Sequence, residues 1–137
     1  MTDIIDYTKI TALVVEDNDF VRYMVKRHLV GFGCQEVVEA ADGFEGLKAL
    51  DGKKPDVIIC DISMEPVNGF DFLKHVRGTD SPHKNLPVIF LTSSAEETSV
   101  KKAIAGGVDA YLLKPVAPDD LKQKITRLVK KTASGDS

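Results

Sequence analysis

The chain has 137 residues, the size of one ordinary domain, and its 43% hydrophobic and 28% charged residues are globular composition, which excludes a disordered or fibrous chain. Eighteen basic residues against 21 acidic ones give a net charge of −3, so no general attraction to nucleic acid or to an anionic membrane surface is expected. No stretch is long and apolar enough for a secretory signal or a spanning helix, and a cytoplasmic protein without membrane insertion is expected.

Taken in chain order, Ala12 to Val15 reads as a first strand. Val21, Met24, Val25, His28 and Leu29 follow at the spacing of an amphipathic helix, with Asp19 placed to cap it and Gly31 to end it. Gln35 to Glu39 is a second strand, and Phe44, Leu47 and Leu50 mark the helix after it. Val57 to Cys60 and Val88 to Leu91 lie in almost continuous apolar runs, DVIICD and PVIFLT, as strands covered on both faces require. The helix between them carries Phe70, Leu73 and Val76. A fourth helix with Val100, Ala103 and Ile104 runs up to Gly106-Gly107. Ala110 to Leu113 is the fifth strand, and Leu121, Ile125, Leu128 and Val129 mark the last helix. Five successive βα units predict parallel strands joined by right-handed crossovers, an open α/β sheet with helices on both faces. One domain over 1–137 is expected, with its core at about 10–129 and a short polar tail from Ser134 to Ser137. Cys34 and Cys60 lie in or beside apolar stretches without CxxC spacing, so both are expected to be buried, reduced small hydrophobes.

In such a sheet, ligands bind beyond the carboxyl ends of the strands. Those ends carry Glu16, Asp17, Asn18 and Asp19 after the first strand and Asp61 after the third. Thr92, Ser93 and Ser94 follow the fourth, and Lys114 the fifth. Any one of these is ordinary, since an Asp after a strand often caps a helix and Lys-Pro often makes a turn. Together they suit phosphoryl transfer. Crowded carboxylates are relieved by a hard divalent cation, so Glu16, Asp17 and Asp61 are candidate Mg²⁺ ligands. Thr92 and Lys114 are candidate donors to the moving phosphoryl group, and an aspartate could serve as nucleophile.

LVVEDND, VIICDISM followed by Asn68-Gly69, VIFLTSSA and GGVDAYLLKP together resemble the receiver domains of two-component response regulators over roughly Ile10 to Val129. The resemblance implies a flavodoxin-like (βα)₅ fold with strand order 2-1-3-4-5, the order for which the general rule itself takes a chemotaxis member of the family as an example. It implies Asp61 as phosphoacceptor, Glu16 and Asp17 as the acidic pair for Mg²⁺, and the backbone carbonyl of Ser63 as a further ligand. Thr92 would be the switch hydroxyl, Lys114 the phosphate-neutralising lysine and Tyr111 the aromatic switch. A cis bond before Pro115 is implied as well. One departure is that Glu65 stands where the family usually has proline, with Pro66 next, which leaves the loop path near the metal open.

The phosphoryl donor implied is a sensor histidine kinase or histidine phosphotransfer protein. Phosphorylation would draw the Thr92 hydroxyl toward the new oxygens and let the Tyr111 ring turn inward. No output domain follows the fifth helix, so a stand-alone receiver that signals by contact with another, unidentified protein is expected, a phosphoacceptor and not an enzyme acting on an external substrate. His28, His75 and His83 are scattered and are read as structural or surface residues. Other classes compete. Asp17-x-Asp19-x-Val21 resembles the nucleophile motif of haloacid dehalogenase phosphatases, but the chain lacks the cap and the late paired-aspartate motif, and that reading leaves Asp61 unused. A flavin domain would share the fold, yet the acidic first loop would repel the flavin phosphate. A module that signals without phosphate would not need the full set of acceptor, acidic pair, hydroxyl and lysine.

Overall fold

The computed structural model describes residues 5–78, 80–93 and 97–133, without the side chains of 97–100 and 131–133. Ser94, the side chain of Val100 and the Ser134 to Ser137 tail lie outside the described residues. Five parallel strands, β1 (Thr11–Val15), β2 (Glu36–Ala40), β3 (Val57–Asp61), β4 (Val88–Thr92) and β5 (Ala110–Leu113), form one sheet in the order 2-1-3-4-5. Between and after them run α1 (Asp19–Phe32), α2 (Gly43–Lys53), α3 (Gly69–Arg77), α4 (Glu97–Ala105) and α5 (Pro118–Ala133). The parallel sheet predicted from the βα alternation is observed, and its order is the flavodoxin-like one that the resemblance to receiver domains implies.

The sheet carries a core on each face because successive side chains of a strand point opposite ways. Leu13, Val15, Ile58, Cys60 and Phe90 face Leu50 of α2, Phe72 and Leu73 of α3 and Ala103 of α4. Ala12, Val14, Ile59, Ile89 and Leu91 face Val25 and Leu29 of α1 and Leu121 and Ile125 of α5. β1, β3 and β4 are buried along their whole length, whereas β5 is an edge strand that leaves Tyr111 and Leu113 exposed.

Several local expectations are corrected. The cap of α1 is Asn18, whose extended backbone lets its side chain accept the Val21 N–H, while Asp19 is already helical. The helix runs past Gly31 and ends at Gly33, whose left-handed φ of 97° returns its N–H to the carbonyls of Leu29 and Val30. Met24, Phe44 and Ile104, counted in the apolar stripes, face solvent. Cys60 is buried, but Cys34 is only half-buried, and both are free thiols.

A short 3₁₀ helix, Tyr7–Lys9, precedes β1 and was not expected from the sequence. Its buried Tyr7 stacks edge-on against Phe32, and its hydroxyl donates to the Lys122 carbonyl at 3.1 Å and lies 2.7 Å from Thr126 Oγ1. Among the described residues no helix is long and apolar enough to cross a membrane.

Candidate functional site

β1 and β3 are neighbours, with Val15 opposite Cys60, so the next residues, Glu16 just past β1 and Asp61 at the end of β3, stand side by side. Glu16 is wholly buried and Asp61 only 4% exposed, while Asp17 stands at the exposed rim. One carboxylate oxygen from each of the three lies within 4.8 Å of the others.

Such a cluster needs compensating charge, and β5 delivers it. The Lys114 ammonium lies 3.0 Å from Asp61 Oδ1, to which it donates, and 3.0 Å from Glu16 Oε1. The second contact is a charge pair without hydrogen-bond alignment, which leaves Glu16 Oε1 buried with no aligned donor. Glu16 Oε2 accepts the Asn18 N–H at 3.0 Å. Asp61 Oδ1 also accepts a long bond, 3.4 Å, from the Ser63 N–H. Burial, with a smaller push from the charge of Asp61, raises the Glu16 carboxyl to about 7 against the opposing pull of the Asn18 N–H and Lys114. Burial alone would lower Lys114, but its contacts with the Glu16 and Asp61 carboxylates outweigh it and raise the ammonium above its ordinary value. Lys114 is therefore charged at neutral pH.

Three clustered carboxylates, one with a buried oxygen lacking an aligned donor, form an all-oxygen set that fits a hard divalent cation. Ser63 is exposed at the start of the loop after β3. In that loop Met64 is buried, Glu65 is exposed and the Glu65–Pro66 bond is cis; the Lys114–Pro115 bond is cis as well.

The register sets Asp61 opposite Leu91, so Thr92 extends one residue further along the same rim, 6% exposed. Its carbonyl accepts the Lys114 N–H at 2.8 Å, tying the hydroxyl-bearing and ammonium-bearing strand ends together. Tyr111 lies opposite Phe90, two residues back along β4 from Thr92. Its ring is 41% exposed and lines an open groove with Ile104, Leu113 and Pro115.

Three further residues support this arrangement. Gly69, the first residue of α3, donates its N–H to the Ile62 carbonyl, and a Cβ there would lie 2.6 Å from the Asp61 carbonyl oxygen. Only glycine lets α3 start so close to the Asp61 backbone. Asn68 caps the helix by accepting the Asp71 N–H, so Asn-Gly ahead of an apolar stripe was the readable signal. His28 has Nε2 3.0 Å from the Val116 carbonyl and fastens the segment after Lys114 to α1, a contact across 88 residues that no local pattern announces. His83 pairs with Asp51, so neither of these histidines is engaged with the acidic cluster.

The family model of the response regulator receiver domain matches residues 12–126. Chemotaxis protein CheY1 of Helicobacter pylori is 37% identical over 114 residues, which cover 82% of this chain and 91% of that protein. A solved structure of a putative response regulator from Chloroflexus aurantiacus superposes with a TM-score of 0.82 at 32% identity, covering 88% of this chain and 97% of that one. The chemotaxis protein CheY4 of Vibrio cholerae does so at 0.80 and 34%, covering 87% and 98%. The 2-1-3-4-5 sheet, the acidic cluster at its carboxyl rim and a match over most of the length agree, and the chain belongs to the response regulator receiver family, in its chemotaxis-type branch.

Proposed function

We propose that this receiver accepts a phosphoryl group on Asp61 in a Mg²⁺-dependent reaction and signals through altered contact with a downstream protein. The phosphohistidine of a sensor kinase or of a histidine phosphotransfer protein is the donor. The observation that carries the reading is the buried Asp61 carboxylate sharing one lysine ammonium with the buried Glu16.

Glu16, Asp17, Asp61 and the carbonyl of Ser63 would hold the cation. When bound, Mg²⁺ supplies the positive charge that lets an anionic phosphoryl group approach three carboxylates. The chain's own residues do the rest. An Asp61 oxygen attacks phosphorus, the bond from phosphorus to the donor's imidazole nitrogen breaks with its electron pair staying on a ring protonated at its other nitrogen, and an acyl phosphate forms while neutral imidazole leaves. Lys114, already on the Asp61 carboxylate, neutralises a phosphoryl oxygen without having to move far. Thr92 donates its hydroxyl to another, and the space it vacates admits the Tyr111 ring. The chain turns over only its own modification.

Incubation with Mg²⁺ and acetyl phosphate, followed by mapping of the labelled residue, tests this. Single, stable labelling of Asp61 is expected, and Asp61→Asn should take up no phosphate while keeping the parent circular dichroism spectrum. Label on Asp17 with rapid turnover, or parent-rate labelling of Asp61→Asn, would overturn the assignment.

A further inference from the structure

Among the described residues, Lys102 is the one residue of α4 that lines the cavity beside Asp17 of the acidic cluster. That cavity, about 630 Å³ and open to solvent, is walled by Asp17, Ser63, Glu65, Asn68 and Phe70 among others, with Lys102 its one cation among the described residues. The ammonium sits 4.7 Å above the centre of the Phe70 ring, and Phe70 is itself set edge-on against the buried Phe90 at 5.7 Å. The aromatic pair thus gives the charge a fixed perch. Lys26, Lys53 and Lys114 each have a carboxylate oxygen within 3.1 Å, whereas Lys102 pairs with no carboxylate among the described residues. A ring face holds a cation in place without cancelling its charge, so Lys102 retains its full attraction for an anion entering the cavity.

We propose that Lys102 is a specificity-determining residue that favours small acyl phosphates as direct phosphodonors; this rests on the reading of Asp61 as the acceptor. Asp17, which shares the acidic cluster with Asp61, lines the cavity with Lys102, so on this proposal a donor whose phosphorus approaches Asp61 leaves its departing half on the cavity side. With an acyl phosphate, Asp61 oxygen bonds to phosphorus, the bond from phosphorus to the acyl oxygen breaks, and that oxygen carries the electron pair away as a carboxylate. Negative charge therefore develops on the half facing Lys102. With zwitterionic phosphoramidate the P–N bond breaks and neutral ammonia departs, so no anion develops there. Glu65, in the same wall, repels the acyl donor and is opposed by Lys102.

The test compares labelling rate constants for acetyl phosphate and phosphoramidate, at one Mg²⁺ concentration, in the parent chain and in Lys102→Glu, Lys102→Met and Lys102→Arg. Reversing the charge should slow acetyl phosphate labelling about three- to tenfold and leave phosphoramidate within twofold, with Lys102→Met between and Lys102→Arg near the parent. The acetyl phosphate deficit should shrink in about 0.5 M salt, which a merely structural role would not produce. Equal slowing with both donors, or no change with either, overturns the role of Lys102 while the labelled Asp61 stands. Failure of the parent chain to label Asp61 with either donor overturns both readings.

Discussion

Glu16 shows how a single side chain can be costly to the fold and necessary to the site. A carboxylate with no solvent exposure, an oxygen lacking an aligned donor and Asp61 beside it favours its neutral form, and the carboxyl is raised from 4.5 to about 7. Between those values the folded chain keeps a proton that the unfolded chain has released. The contribution to stability is therefore full below about 4.5 and is lost as pH rises through about 7. In chelator, denaturant titrations from pH 5 to 8 should show the parent losing on the order of 1–3 kcal/mol more than Glu16→Gln. Magnesium at the proposed site would need the ionised form, so its stabilisation of the parent should grow over the same window and be weaker in Glu16→Gln. A parent whose pH slope equals that of Glu16→Gln would remove the burial argument. Residue identity at the strand ends was legible because charge after an apolar run is rare. The pairing of Lys114 with both carboxylates was not, since it joins strand ends far apart in sequence, 53 residues in the case of Asp61 and more for Glu16.

At the scale of elements, the apolar runs and helical stripes were readable because two-sided burial of β1, β3 and β4 leaves few polar residues in them. Helix ends were read less well. Gly31 and Gly33 are alike on paper, and only the backbone shows which one takes the left-handed turn. Also hidden was the clasp at the end of α3 away from the acidic rim. Arg77 donates Nε to the Gly107 carbonyl, Nη1 to the carbonyls of Lys84 and Leu86, and Nη2 to Asp109, joining α3 to the segments before β4 and β5. Asp109 in turn accepts the Val88 N–H at 2.8 Å, so one ion pair fastens two strand starts. Arg77→Ala should cost about 1–3 kcal/mol, a fall in Tm of roughly 4–10 °C for a domain of this size. Arg77→Lys should recover little, because a single ammonium cannot reproduce the planar fork. The labelling of Asp61 should survive in both, which calorimetry and labelling together would check.

Across the whole molecule, site and surface are joined by strand register. Thr92 closes β4 at the acidic rim; two residues earlier on the same strand, Phe90 lies opposite Tyr111, whose ring stands in the groove between α4, β5 and α5. The two ends of this path are a buried charge cluster and an exposed ring on an edge strand that neighbouring strands do not cover. Edge position is what makes the path usable: a ring on β3 would be locked in core packing, whereas Tyr111 has solvent on one side and the groove on the other. On the proposed reading, charge added at Asp61 would bias the inward packing by moving the Thr92 hydroxyl. A coupling of about 2 kcal/mol would multiply the inward population about thirtyfold. The chain has three tyrosines and no tryptophan, so fluorotyrosine labelling gives a simple ¹⁹F spectrum. Tyr7 is buried, while Tyr23 and Tyr111 are exposed. Beryllofluoride with Mg²⁺, which mimics the acyl phosphate, should shift one exposed resonance toward the buried range, and Tyr111→Phe should remove that resonance. Thr92→Ala should bind beryllofluoride yet leave the Tyr111 signal at its solvent position. A Tyr111 resonance that moves equally with and without the Thr92 hydroxyl would show that the signal reaches β5 by another route.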